Sequence, residues 1–167
     1  MKLKIFLRNQ LKLVIDNKSE IWPPKQVSRN KYLWWHSYST RWGDNDIYGH
    51  VNNIIYYSMF DTVVNYFLIK NAGFDPLHSD FIGVTPETRC YYYKSIIYPE
   101  KVDVGIIIKR LGKSSIRYEI GVFKLDEDSP CAIGYFVHVY VDRENQNKVV
   151  PIPNNIYLAC KKIVEKS

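Results

Sequence analysis

The longest apolar stretch of the chain runs from Ile54 to Lys70 and carries apolar residues on nearly every side of a helical wheel. Its length favours a helix over a strand, and apolarity all round the helix indicates that it is buried. Asn52 or Asn53 is suited to cap its start, and Gly73 is suited to end it. The pattern therefore predicts one long buried helix over residues 54–70.

Elsewhere the apolar positions alternate with a period near two, which is typical of strands that bury one face. One aromatic and β-branched segment precedes the helix, and four alternating segments follow it with short links between them. Short links place consecutive strands side by side and antiparallel. The predicted strands are Lys31–Trp42, Phe81–Lys94, Lys101–Leu111, Ser114–Leu125 and Ala132–Val141, and a C-terminal helix is predicted over Asn154–Val164.

A curled antiparallel sheet around one central helix satisfies the burial requirements of both, so the sequence predicts an α+β fold. A chain of 167 residues is typical of a single domain. Pro23-Pro24 separates an N-terminal extension, residues 1–30, from a domain at 31–167. We expect the extension to form a short surface helix or an ordered segment.

The net charge of +6 leaves two interpretations open: a surface suited to solubility, or a polyanionic partner. No clustered basic face or known module supports nucleic-acid binding, so a small phosphorylated ligand fits the charge equally well. No apolar run reaches the length of a membrane span.

The three cysteines are odd in number and lack C-x-x-C spacing. This pattern argues against a disulfide framework and favours a reducing, cytoplasmic location. The four histidines are scattered, with no His or Cys at metal-motif spacing, so we expect no metal site.

Candidate chemistry is concentrated in residues 41–53, which place two carboxylates, a histidine and two asparagines in a turn before the long helix. The first N–H groups of a helix are free and carry partial positive charge, so they can polarise a carbonyl. Asp46 has two interpretations: a carboxylate that attacks a carbonyl or activates water, or a turn residue bonded to its own backbone. We expect Asp44 to support the turn.

The order of elements and the motif at residues 40–56 resemble the hotdog-fold thioesterases, in the branch that contains 4-hydroxybenzoyl-CoA thioesterase and the YbgC-like acyl-CoA thioesterases. The similarity covers about residues 32–160. The motif reads Thr40-Arg41-Trp42-Gly43-Asp44-Asn45-Asp46, then Tyr48-Gly49-His50-Val51-Asn52-Asn53 and Tyr56. Weaker similarities are Leu111-Gly112-Lys113-Ser114-Ser115 and the late segment Ala132–Asp142.

The resemblance implies a hotdog fold and hydrolysis of an acyl-CoA thioester to the free acid and CoA. It assigns Asp46 as nucleophile or general base and the backbone N–H of Asn53 as the group that polarises the carbonyl. His50 has several open roles: to protonate the leaving thiolate, to orient Asp46 or water, or to bond the backbone at the start of the helix. Tyr56 either lines an acyl pocket or belongs to the helix core.

Coenzyme A carries phosphates, so basic groups are expected near the mouth of the site. The candidates are Arg110, Lys113 and Arg117, with Ser114 and Ser115 expected to contact the pantetheine arm or a phosphate. The alternative is an ordinary solvated hairpin. CoA belongs to the substrate, so no separate cofactor is expected.

The family resemblance also implies a homodimer or homotetramer with the site at a subunit interface, since a curled sheet leaves an edge to be covered. Two other functions stay open: a non-catalytic acyl-CoA-binding module, and a thioesterase that acts on acyl-carrier-protein. A hotdog hydratase fits less well, because Asp46 and His50 have its spacing but lie in a thioesterase-type context.

Overall fold

The structure, a computed structural model, describes residues 25–165, which form one five-stranded antiparallel sheet and two α-helices. The strands are β1 Trp34–Ser39, β2 Phe81–Tyr92, β3 Lys101–Leu111, β4 Ser115–Lys124 and β5 Ala132–Asp142, and the helices are α1 Asn53–Ala72 and α2 Asn154–Lys161. The expected surface helix or ordered segment of the extension lies, up to residue 24, outside the described residues.

The long buried helix is confirmed as α1, which packs against the concave face of the sheet. Asn52 is the N-cap, and its side chain accepts a hydrogen bond from the N–H of Ile54 at 3.1 Å. Gly73 ends the helix with a left-handed φ of 62°, a conformation that glycine adopts without steric cost. No helix within residues 25–165 is long and apolar enough to cross a membrane.

The strand order is β1-β3-β4-β5-β2, so the predicted α+β hotdog architecture is confirmed. The expectation that every linked pair of strands is adjacent is wrong for β2 and β3. Their link, residues 93–100, passes the start of β5, where the N–H groups of Tyr93 and Lys94 both donate to the carbonyl of Cys131. Since β1 pairs with the free side of β3, β2 lies at the opposite edge of the sheet beside β5.

The first strand is shorter than predicted because short 3-10 helices occupy Arg29–Lys31 and Trp42–Asp44. Arg29 forms an ion pair with Asp103, and its guanidinium lies 4.5 Å from the centre of the Trp35 ring. These contacts hold the segment before β1 against the convex face of the sheet.

The core depends on one close approach between α1 and β5. A Cβ atom at Gly134 would lie 2.3 Å from Cε2 of Phe60, and Phe60 is fully buried. The Phe60 ring therefore fills the space that a side chain at position 134 would occupy.

His138 on β5 is buried among aromatic rings of the core, with Tyr118, Phe136 and Tyr140 as neighbours. Its Nδ1 atom has no hydrogen-bond partner among the described residues. Burial lowers the pKa of His138 to about 4, whereas a histidine in the unfolded chain has a pKa of about 6.5. Between these two pH values the ring is therefore neutral in the folded protein and protonated in the unfolded chain.

Since the unfolded state binds the extra proton, stability is expected to fall as the pH drops below about 6.5. From pH 7.5 to pH 5 the loss due to His138 is about 2 kcal/mol. Urea denaturation at both pH values should show that His138→Leu lacks this loss, whereas the exposed control His78→Leu keeps it. An equal loss in wild type and His138→Leu would contradict the assignment.

Candidate active site

A cavity of about 370 Å³ lies where the first turn of α1 meets the end of β2 and the link that follows it. Two stretches of chain, separated by almost forty residues, thus form opposite walls. The lining residues are Asp46, His50, Val51, Asn53, Tyr56, Tyr92, Tyr93, Lys94 and Ser95. The structure therefore brings together four of the residues singled out in the sequence: Asp46, His50, Asn53 and Tyr56.

The turn that carries Asp46 is held by Asp44, which is 1% exposed. Its carboxylate accepts hydrogen bonds from the backbone N–H and from Nε of Arg41, at 2.8 and 3.0 Å. Its backbone carbonyl accepts the N–H of Asn52 at 2.8 Å. Asp44 thereby fixes the start of the turn relative to the residue that caps α1.

A second set of bonds fastens the turn to the link between β2 and β3. The N–H of Val51 donates to the carbonyl of Ile96 at 2.8 Å, and the N–H of Tyr98 donates to Oδ1 of Asn45 at 3.2 Å. The two walls of the cavity are thus held together on both sides of Asp46.

The two carboxylate oxygens of Asp46 have different environments. Oδ1 accepts the N–H of Tyr48 at 2.8 Å, with a longer contact of 3.5 Å to the N–H of His50. Oδ2 has no hydrogen-bond partner within residues 25–165. Gly49, with a φ of 81°, closes the turn by donating its N–H to the carbonyl of Asp46 at 3.1 Å. One oxygen therefore holds the turn, and the other is available to a ligand.

The first turn of α1 leaves one backbone donor without a partner among the described residues. Asn52 satisfies two of the other N–H groups of this turn. Its side chain accepts the N–H of Ile54 at 3.1 Å, and its carbonyl accepts the N–H of Ile55 at 3.0 Å. The N–H of Asn53 has no partner in the described part of the chain, and Asn53 lines the cavity. A free N–H at the positive end of a helix can stabilise a developing oxyanion.

His50 is exposed and lines the cavity. Its carbonyl accepts the N–H of Asp46 at 2.8 Å, but its imidazole ring forms no hydrogen bond with any residue that the structure describes. The ring can therefore turn toward a bound ligand, which suits a proton donor or a group that orients water.

Tyr56 is 3% exposed and packs edge-on against Tyr92, with 5.0 Å between ring centres. It thus both belongs to the core and lines the cavity. Tyr92, Tyr93, Lys94 and Ser95 were not singled out in the sequence, because nothing local to residues 92–95 shows that the end of β2 lies beside the start of α1. Lys94 is held by Glu127 at 2.7 Å.

The proposed CoA-binding residues lie elsewhere in the same chain. Ser115 pairs with Val139, whereas Val122 pairs with Ala132 at the end of the sheet where Tyr92 also lies. The seven-residue separation along β4 corresponds to roughly 23 Å at the rise of a strand. The residues at this far end are Arg110, Lys113, Ser114, Ser115 and Arg117, and none of them lines the cavity.

The cysteines are poorly suited to nucleophilic chemistry. Burial raises the pKa of Cys90 to about 11 and that of Cys160 to about 12, so the reactive thiolate is scarce at neutral pH. Cys131 is also buried, with its pKa raised by burial. Within residues 25–165 no group of three or more His, Cys, Asp or Glu side chains is placed to hold a metal ion.

The family model described as the thioesterase-like superfamily matches residues 40–159. The crystal structure of the PA5185 protein from Pseudomonas aeruginosa is 38% identical, with a TM-score of 0.83 over 86% of this chain and 99% of that one. The PA2801 protein of the same organism, a putative thioesterase, is 28% identical, with a TM-score of 0.70 over 77% of this chain and 98% of that one.

A more distant structure shares the fold. The gentisyl-coenzyme A thioesterase BH1999 is 22% identical, with a TM-score of 0.67 over 76% of this chain and 99% of that one. The matched span of the family model begins at Thr40 and includes the whole turn around Asp46 and both walls of the cavity.

Proposed function

The chain belongs to the thioesterase-like superfamily and is a thioester hydrolase, and from this premise we propose that it hydrolyses an acyl-CoA thioester to the free acid and CoA. The observation that carries the proposal is the pairing, on one cavity, of a carboxylate oxygen and a helix N–H that both lack partners among residues 25–165. Thioester hydrolysis requires these two functions: a base or nucleophile, and a donor for the developing oxyanion.

In the proposed mechanism the thioester carbonyl lies between Asp46 and the start of α1. The N–H of Asn53 donates to the carbonyl oxygen and stabilises the negative charge that develops on it. Oδ2 of Asp46 attacks the carbonyl carbon or removes a proton from the attacking water, and the hydrogen bond from Tyr48 to Oδ1 orients the carboxylate for either route. His50 protonates the departing thiolate. In the nucleophilic route water then hydrolyses the anhydride between the acyl group and Asp46, which gives the free acid and restores the carboxylate. The chemistry draws on side chains, water and a backbone donor, so it calls for no cofactor.

The proposed assembly is a homodimer, or a homotetramer built from two such dimers. β2 is an edge strand, and a free edge pairs readily with a second copy of itself about a two-fold axis. The side chains of Ile47, Tyr48 and Ile54 beside the cavity are 94%, 78% and 65% exposed, and apolar groups of this size at a site favour coverage by a partner.

Such a pairing would also give the distant hairpin a role. Antiparallel alignment of two β2 strands puts the start of one beside the end of the other. The hairpin between β3 and β4 of the partner would then lie at the same end of the combined sheet as the cavity of this chain. The phosphates of a CoA bound at that cavity could reach the basic groups of that hairpin, Arg110, Lys113 and Arg117, together with Ser114 and Ser115.

The related structures support a CoA ester as substrate, since the gentisyl-coenzyme A thioesterase shares this fold. The net charge of +6 also suits an acidic carrier protein, which favours acyl-carrier-protein thioesters as the second candidate. All three cysteines are free, and this fits our proposal of a cytoplasmic enzyme.

A panel of acyl-CoA esters with short, long and aromatic acyl groups tests the proposal. We expect release of free CoA, followed with a thiol reagent, to saturate with at least one class of ester. The same acyl groups on acyl-carrier-protein provide the comparison, and faster turnover there would select the second candidate. Ligand-induced thermal stabilisation without turnover of either thioester would instead indicate a binding module.

A further inference from the structure

Tyr92 occupies the passage from the cavity into the seam between α1 and β2. The cavity lies at the start of α1 and the end of β2, so the seam between these elements leads away from it. Tyr92 is the last residue of β2 and lines the cavity.

Two contacts hold the Tyr92 ring across this passage. Its edge-to-face packing on Tyr56 has ring planes at 85°, and its hydroxyl donates to the carbonyl of Asn53 at 3.4 Å. The ring therefore connects the end of β2 with the first turn of α1.

Beyond Tyr92, side chains that face the seam remain partly open to solvent. Cys90 pairs with Gly134, whose Cα faces the Phe60 ring of α1, so Cys90 and its neighbour at i−2, Thr88, lie on the helix side of β2. Yet Thr88 is exposed, and Tyr57 and Cys90 are only partly buried. The surface on the helix side of β2 is thus open to solvent beyond the Tyr92 ring.

We propose that Tyr92 determines the length of the acyl group, by ending the acyl pocket and restricting the site to short or compact acyl chains. The inference rests on the proposed function, because it names the class of substrate that the same cavity accepts. An acyl chain that extends from a carbonyl between Asp46 and Asn53 meets the phenol ring before it can reach the open surface beside Cys90.

The test is the binding of non-hydrolysable S-alkyl-CoA thioethers with four-carbon and ten-carbon chains, measured by calorimetry. In the wild type the short chain is expected to bind as tightly as the long one or more tightly. In Tyr92→Ala the affinity ratio of long to short should rise by about tenfold, the factor gained by burying about two further methylenes.

Two variants serve as controls. Tyr92→Phe keeps the ring and should retain the wild-type ratio, which separates the closure of the pocket from the hydroxyl contacts. Tyr91→Ala removes the same side chain from the opposite face of β2, where Tyr91 pairs with Ile133, and should also retain that ratio. Thermal unfolding of each variant identifies any that fails to fold, and Tyr92→Leu is the replacement if Tyr92→Ala does.

The outcomes separate this inference from the proposed function. An unchanged ratio in Tyr92→Ala, or tighter binding of the long chain than of the short one by the wild type, overturns the role of Tyr92. Failure of the wild type to bind either thioether overturns it as well. Selective binding with no hydrolysis of the matching esters would overturn the proposed function while it supports the inference.

Discussion

The substitution Asp46→Asn should lower kcat for thioester hydrolysis by at least about 100-fold, the range expected for loss of a positioned general base. The amide keeps an oxygen that can accept the N–H of Tyr48, which Oδ1 now accepts at 2.8 Å. The turn should therefore persist while the basic and nucleophilic oxygen is lost. Steady-state CoA release and thermal unfolding, measured on the same preparation, check both parts of this expectation.

The matched control is Asp61→Asn, the same chemical change at an exposed carboxylate of α1 that accepts a hydrogen bond from Asn65. This control should retain wild-type turnover. Near-wild-type activity in Asp46→Asn would rule out both proposed roles of the carboxylate, whereas a large loss of thermal stability would indicate that Asp46 acts mainly in the turn.

The second large effect is expected at Asn53, where the functional atom belongs to the backbone. Asn53→Pro removes the N–H, and the loss of one oxyanion donor is expected to lower kcat by about 100-fold. Proline is well tolerated at the first position of a helix. The preceding Asn52 already has the extended conformation that a following proline requires, with φ −60° and ψ 142°.

Asn53→Ala provides the comparison, since it removes the side chain but retains the N–H. We expect it to keep most of the activity, so that the ratio of the two variants isolates the backbone donor. Circular dichroism should show the same helix content in both. An equal loss of activity in Asn53→Ala and Asn53→Pro would contradict the role of the N–H and assign the effect to the side-chain amide.

The wall of the cavity formed by α1 could be predicted from the sequence, because it depends on local features. A polar turn, a capping asparagine and a long apolar run are neighbours along the chain, and together they determine where the free N–H of Asn53 lies. The same locality made α1 predictable to within one or two residues at each end.

The opposite wall could not be predicted, because it depends on long-range pairing. The alternation in residues 81–94 indicates a strand but not its neighbour, and β2 pairs with β5 rather than with the strand that follows it. Tyr92 and Lys94 reach the cavity through that pairing alone. The ends of β1 were missed for a related reason: tertiary contacts such as that of Arg29 with Asp103 favour 3-10 turns where the local pattern favours strand.

The contact between Gly134 and Phe60 also bears on how the family can vary. The sizes of these two residues are coupled because both draw on the same volume. A larger residue on the strand has room only if the helix carries a smaller one. Related chains should therefore exchange bulk between these two positions rather than gain it at both. A redesign of the core beneath the cavity would have to change them as a pair.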